Sequence, residues 1–366
     1  MTIKAVFKNI SFNDWLFFLS VFILLLIGLM VYYSLAAGNF SINQIWEQIL
    51  IYLIALALFW WAASFDYRIL KDAHWILYVI SLLLLIFVLL IGTSQFGAKR
   101  WIDLGWFNFQ PVEVVKCLFI IFLARYFSQQ GEIISWRDLL LSILFLGGLV
   151  ILTMIQPDLG SSLVLVVIWL GMVLASNTPR RYLGILLLIT LLLLPLFWVL
   201  MHDYQRDRIL TFFDPMRDPY GAGYNVLQSQ IAVGSGGWWG LGLGRGLQSQ
   251  LHFLPVAYSD FAFAVLAEEF GFVGSIITLI FFGTMIAWIW QVAFRAVDQF
   301  GFFLVIGVGS MFIFQIFINV AMNLGIMPVT GIPLPFISSG GTSLLVVMFL
   351  LGLVMSVKKR SLAVSY

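Results

Sequence analysis

Ten apolar runs dominate the chain, at about 15–37, 45–64, 74–92, 112–127, 139–155, 160–176, 182–200, 261–290, 300–322 and 342–357. About 20 residues of helix cross the roughly 30 Å of hydrocarbon in a bilayer. In lipid every backbone N–H and C=O must be paired within its own segment, so runs of this kind are helices. Composition agrees. The chain has 366 residues, 62% hydrophobic and 10% charged, whereas a soluble domain needs about 25% charged residues to cover its surface. The expectation is an all-α membrane protein of about ten transmembrane helices, with residues 1–366 forming one polytopic domain. A net charge of +2 gives no basic footprint for nucleic acid. The single cysteine, Cys117, lies inside an apolar run and excludes an internal disulfide.

Lys4 and Lys8, the apolar stretch from Trp15 and then Ser34-Leu35-Ala36 imitate a cleavable leader. The stretch runs past the about 7–15 residues of a leader's apolar core, so it reads as an uncleaved first helix. Lys and Arg counts set orientation. With both termini cytoplasmic, twelve of the 19 lie in inner segments, six in outer ones (Lys99, Arg100, Arg206, Arg208, Arg217 and Arg245), and Lys116 lies within a helix. Two outer segments exceed mere connectors. One runs from about Gly92 to Pro111. The other spans 201–259, between the seventh and eighth helices, and turns glycine-rich from Gly234 to Gly246. Trp238, Trp239, Phe253 and Leu254 argue for a folded extracytoplasmic cap.

Polar groups crowd the outer helix ends: Glu47, Glu113, Asp158, Asp260 and the Ser338-Ser339-Gly340-Gly341 turn. Ionisable groups at membrane depth are costly and usually face a working cavity. Acids near helix N-termini also complement the helix dipole, which accounts for Glu47. For Asp158 and Asp260 the neighbouring loops favour function. Asp260 opens the eighth helix behind Phe253-Leu254-Pro255, where screening from water raises a carboxyl towards general-base range. Glu268 and Glu269, deeper in that helix, read as hydrogen-bonding residues. Glu113 and Lys116, three apart, form an ion pair on one face; structural and substrate-orienting roles both stay open. Lys99, Arg100, Arg206, Arg208 and Arg245 have few acids near them beyond Asp103 and Asp207. Guanidiniums grip phosphate bidentately, so a pyrophosphate-linked lipid suits them, as does snorkelling at the interface. His74, His202 and His252 lack ligand spacing. No residue pattern fixes a cofactor; a divalent cation, magnesium or manganese, stays open as a helper. The glycine run is no phosphate loop, since no Gly-Lys-Ser follows it.

Several segments resemble the SEDS (shape, elongation, division and sporulation) proteins. They are Gly97-Ala98-Lys99-Arg100-Trp101, Gln110-Pro111-Val112-Glu113 with Lys116, and Gln156-Pro157-Asp158-Leu159-Gly160. Gly221 to Gln228, Asp260-Phe261-Ala262-Phe263 through Glu269, and Pro333-Leu334-Pro335-Phe336 through Gly341 follow in the family's order. Short tails and Gln248-Ser249-Gln250 resemble RodA, the elongation branch, more than FtsW. The resemblance implies a peptidoglycan glycosyltransferase of the bacterial inner membrane that polymerises lipid II during elongation. It implies that Asp260 is the general base, and that Lys99, Arg100, Glu113, Lys116 and Asp158 line an outer cavity. Arg206 and Arg245 join them as substrate-binding candidates. A class B penicillin-binding protein, the elongation machinery and membrane lipid are the implied partners. Departures stand at Val112, Val256, Tyr258 and Ser339. Two other readings remain. A lipid II transporter predicts polar groups through the whole membrane, and a non-catalytic scaffold predicts no need for Asp260.

Overall fold

The computed structural model describes residues 11–36, 42–95, 98–103, 105, 108–131, 133–201, 203–218, 221–251, 253–254 and 256–364. Lys4, Lys8, Gly97, His202, His252 and Pro255 lie outside the described residues.

Each expected apolar run is helical. In chain order these helices are α1 (Phe12–Ala36), α2 (Ile42–Ser64), α3 (His74–Ile91), α4 (Pro111–Ser128), α5 (Trp136–Ile155), α6 (Leu159–Ala175) and α7 (Arg180–Leu200). After three short helices, α8 (Asp203–Phe213), α9 (Ala222–Ser235) and α10 (Leu247–Gln250), come α11 (Ala262–Phe294), α12 (Gln299–Asn323) and α13 (Gly341–Val364). Among the described residues, seven are long and apolar enough to cross a membrane: α1, α2, α3, α5, α11, α12 and α13. The chain is therefore a multi-pass membrane protein.

Three helices, α4, α12 and α13, form the middle of the bundle. In α12, 72% of the apolar window is buried by protein, against 28% in α3 and α5. α4 packs against α3, α6, α12 and α13. Its interruption by Glu113, Lys116 and Arg125, which makes it the least lipid-like run, is tolerated because protein surrounds it. α1 runs antiparallel along α11. Asp14 meets Trp288 near one end (2.7 Å), and Ser34 hydrogen-bonds Glu269 near the other.

The segment before α4 departs from the all-helical expectation. Thr93–Gln95, Ala98–Asp103 and Asn108–Phe109 (β1 to β3) form a small antiparallel sheet in the order β1-β2-β3. Thr93 pairs with Trp101 and Ile102 with Phe109. The run Arg100-Trp101-Ile102 favours a pleated strand over a coil. The strand also sends the neighbours Lys99 and Arg100 to opposite faces.

The glycine-rich segment has a structural task. α11 is 33 residues long and breaks at Gly271, where φ is 68° and ψ is −166°. Only glycine adopts that conformation readily. The break disrupts helical pairing, and residues 237–242 take up the groups. Phe272 and Val273 donate their N–H to the carbonyls of Gly237 and Trp238 (2.8 and 3.1 Å). Leu241 and Gly242 donate to the carbonyls of Glu268 and Glu269 (3.0 Å each). A Cβ on Gly240 would lie 2.1 Å from the Glu269 oxygen, so the two backbones touch. Glu268 then accepts from the amides of Gln248 and Ser249 (2.8 and 3.1 Å), capping α10. Glu269 accepts from Gly244 N (3.0 Å) as well as from Ser34. Both acids hold segment 234–250 onto α11 and α1.

Candidate functional site

Asp260 lies two residues before α11. Its backbone carbonyl accepts from the side-chain amides of Asn319 and Asn323 (3.0 and 3.1 Å), four residues apart on α12. Asn323 Oδ1 also accepts from Ala264 N (3.2 Å), an amide of the first turn of α11 that has no partner within its own helix. Asn319 reaches on to the Ile332 carbonyl (2.8 Å). One helix thus fixes the start of another and the loop beyond it. From that loop, Ser338 Oγ donates to the Ser259 carbonyl (2.5 Å), and Ser339 donates N–H and Oγ–H to the Tyr258 carbonyl (2.8 Å each). The departures at Tyr258 and Ser339 therefore meet through the backbone of residue 258.

The Asp260 carboxylate accepts from Ser259 Oγ (3.0 Å). Its other oxygen lies 3.5 Å from where a Cβ on Gly331 would sit. Burial pushes the carboxyl above its ordinary range, and the nearby negative charge of Asp158 adds to this. The Ser259 hydrogen bond and the positive charges of Arg208 and Arg100 oppose the rise without cancelling it. A carboxylate in such surroundings is a stronger base than one in water, yet cations close by still favour its ionised form.

The loop between α12 and α13 gathers these groups. Arg208 Nη1 donates to the Val329 carbonyl (3.2 Å). At Gly160 a Cβ would lie 2.6 Å from the Thr330 oxygen, so α6 begins against the same loop. Asp158 caps α6 by accepting from Ser161 N (3.0 Å). Arg100 Nε donates to the Gln156 carbonyl (3.0 Å), and its Nη2 to the Pro157 carbonyl, tying β2 to the α5–α6 turn.

The other sequence candidates stand elsewhere. Lys116 Nζ and Glu113 Oε1 are 2.6 Å apart, and both side chains are buried. Gln110 N donates to Thr342 Oγ1 (3.1 Å), fastening the start of α4 to α13. Arg206 donates to the Trp198 and Val199 carbonyls (3.0 and 2.6 Å) and caps the end of α7. Arg206 and Arg208 are two apart on α8, which sends them to nearly opposite faces. Lys99 and Arg245 are exposed. Among the described residues no group of three His, Cys, Asp or Glu side chains converges as a metal-ligand set.

Asn319 and Asn323 were not singled out from sequence. A signal existed, since two asparagines one helical turn apart in an apolar helix are costly unless bonded. Asn323→Ala is expected to destabilise the protein by about 1–3 kcal/mol, because it strips partners from buried polar groups. Thermal melting measures that loss, and faster amide hydrogen exchange at Ala264 localises it.

The family model described as a cell cycle protein (FtsW/RodA/SpoVE) matches residues 14–362. The chain belongs to the FtsW/RodA/SpoVE family. Within it, peptidoglycan glycosyltransferase MrdB of Escherichia coli (strain K12) is 36% identical over 339 residues, 92% of each chain. Probable peptidoglycan glycosyltransferase FtsW of Aliivibrio salmonicida (strain LFI1238) is 41% identical over 275 residues, 74% of this chain and 68% of that one. A chain from a structure on the coordination of polymerization and crosslinking by a peptidoglycan synthase complex superposes with a TM-score of 0.82. It is 30% identical, over 95% of this chain and 98% of that chain. The crystal structure of the Thermus thermophilus rod shape determining protein RodA superposes with a TM-score of 0.71 at 28% identity, over 95% and 97%. This chain has the RodA-like fold.

Proposed function

We propose that the chain is a peptidoglycan glycosyltransferase that polymerises lipid II into glycan strands during cell elongation, with Asp260 as general base. The names of its family relatives support the activity. The base assignment is supported by placement: Asp260 is fixed by Asn319 and Asn323 just ahead of α11, where burial raises its carboxyl and the positive charges of Arg208 and Arg100 act on it.

The reaction follows from those groups. Asp260 takes the proton of the acceptor sugar's 4-hydroxyl as that oxygen attacks the anomeric carbon of the donor. The bond from that carbon to the pyrophosphate oxygen breaks, and undecaprenyl pyrophosphate leaves with the electron pair. Attack from the opposite side inverts the centre and makes a β-1,4 link. Arg100 and Arg208 stabilise the charge growing on pyrophosphate. Asp158 shapes the same wall, and Lys99, Arg206 and Arg245 form the outer approach. The Glu113–Lys116 pair positions α4.

The chain makes ten crossings, with both termini in the cytoplasm and residues 201–259 as an extracytoplasmic cap on the one domain 1–366. Asp14 and Ser34 are 20 residues apart on α1, or about 30 Å of helix, the thickness of the hydrocarbon. Asp260, beyond the Ser34–Glu269 layer, then stands among the outer headgroups, where a lipid-borne sugar is found. Basic residues gather at the Asp14 end: Lys71 pairs with Asp298 (2.7 Å), Arg360 with Asp66 (3.1 Å) and Lys358 with Asp14. That end is cytoplasmic by the positive-inside rule, in a bacterial inner membrane. The synthase-complex neighbour supports a class B penicillin-binding protein as the crosslinking partner.

Reconstitution tests the reading. With that partner and lipid II in vesicles, the chain is expected to form glycan polymer. The initial rate should fall as pH drops through the raised titration of Asp260, at higher pH than an ordinary carboxylate. Lipid II crossing the bilayer without polymer would instead mark a transporter.

A further inference from the structure

At the end of the bundle remote from Asp260, α1, α11 and α13 enclose a cavity of about 400 Å3. Trp288, Val292 and Val297 give it an apolar wall, while Asn13, Gln291 and Arg295 give it a polar one. The proposed reaction uses none of these residues.

The charges in this cavity are unequal. Asp14 is fully engaged: it accepts from Trp288 Nε1 (2.7 Å), from Ser11 N and Oγ (2.7 and 2.8 Å), and pairs with Lys358. Lys358 also stands 5.8 Å above the Trp288 ring. Arg295 lines the same cavity, is exposed, and among the described residues joins no ion pair. With two cations against one carboxylate, the lining keeps one positive charge in excess. Asn13 Nδ2 donates to Gln291 Oε1 (2.8 Å), which leaves the Gln291 NH2 group as a further donor.

Position narrows the ligand. The Asp14–Trp288 layer is one hydrocarbon thickness from the Ser34–Glu269 layer, so the cavity opens at the inner headgroup level; this step rests on the orientation proposed above. Val297, 50% exposed, carries the apolar wall to the surface beside Arg295. A site with a greasy wall, hydrogen-bonding amides and a single surplus guanidinium matches a monoanionic phosphodiester carrying acyl chains and hydroxyls.

We infer that this cavity seats the headgroup of a monoanionic phospholipid from the cytoplasmic leaflet, with Arg295 gripping the phosphodiester. Such a lipid adds a further link among three helices already joined here through Asp14, the Asn13–Gln291 bond and the Lys358–Trp288 contact.

Native mass spectrometry of the full-length protein in detergent, titrated with phosphatidylglycerol or phosphatidylcholine, tests this. Phosphatidylglycerol is expected to bind in preference, and Arg295→Ala to weaken it by about tenfold, the loss of one charge-assisted hydrogen bond. Arg295→Lys should keep most of the preference. So should Arg181→Ala, which removes an exposed inner-face charge outside the cavity. Equal binding of the two lipids would overturn the assignment, as would equal losses in Arg295→Ala and Arg181→Ala. Glycerol 3-phosphate competing as well as the lipid would reassign the site to a soluble anion. None of these readouts depends on polymerisation, so failure here is distinct from failure of the proposed activity.

Discussion

Asp260→Asn is expected to slow lipid II polymerisation by about 10²- to 10⁴-fold, the usual contribution of a positioned general base, with thermal stability unchanged. Asparagine keeps the shape and can still accept from Ser259 Oγ. The bonds that hold residue 260 run from Asn319 and Asn323 to its backbone carbonyl, so they survive the change. What is lost is the ability to take a proton from the attacking hydroxyl. The fall should appear in turnover rather than in KM, because the acceptor's contacts with the other residues of the proposed site persist. Polymer made at the parental rate by a folded Asp260→Asn protein would remove Asp260 from the mechanism.

Lys116→Ala is expected to cost about 3–5 kcal/mol, the penalty for leaving a buried carboxylate without its partner. The Lys116 and Glu113 side chains are only 1% and 3% exposed. The pair sits in a helix surrounded by others, so water cannot enter to solvate the orphaned Glu113. The double variant Glu113→Gln with Lys116→Met removes both charges and should regain most of the melting temperature. Polymerisation should return with it. A double variant that is stable but inactive would instead mean that the pair touches substrate.

The membrane helices were legible in the sequence because lipid permits so few backbone arrangements. Length and apolarity alone located every run. α4 looked weakest from composition, since composition cannot distinguish a helix sheltered by neighbours from one facing lipid. Asp260 and Asp158 were legible as costly groups near loops, and the structure brings Asp158 and Arg100 within electrostatic range of Asp260. Arg206 and Arg208 were not separable. Their different neighbours depend on α8 being helical, and a polar segment inside a long loop carries little periodic signal. The sheet before α4 was hidden for a similar reason: its strands are two to six residues long. The asparagines of α12 carry no charge to mark them, and their value lies in the number of bonds a neutral amide can make.

The broken helix bears on how the protein is made. A membrane segment with unpaired amides is poorly received by lipid, and α11 would present such amides at Gly271 if it entered alone. The strand of backbone that covers them is close in the chain, with Trp238 and its partner Val273 only 35 positions apart. Closing a loop of that size carries a modest entropic cost and needs no other helix. The seam therefore requires only residues already synthesised when α11 emerges, so the nascent segment can complete its own pairing without awaiting the rest of the bundle.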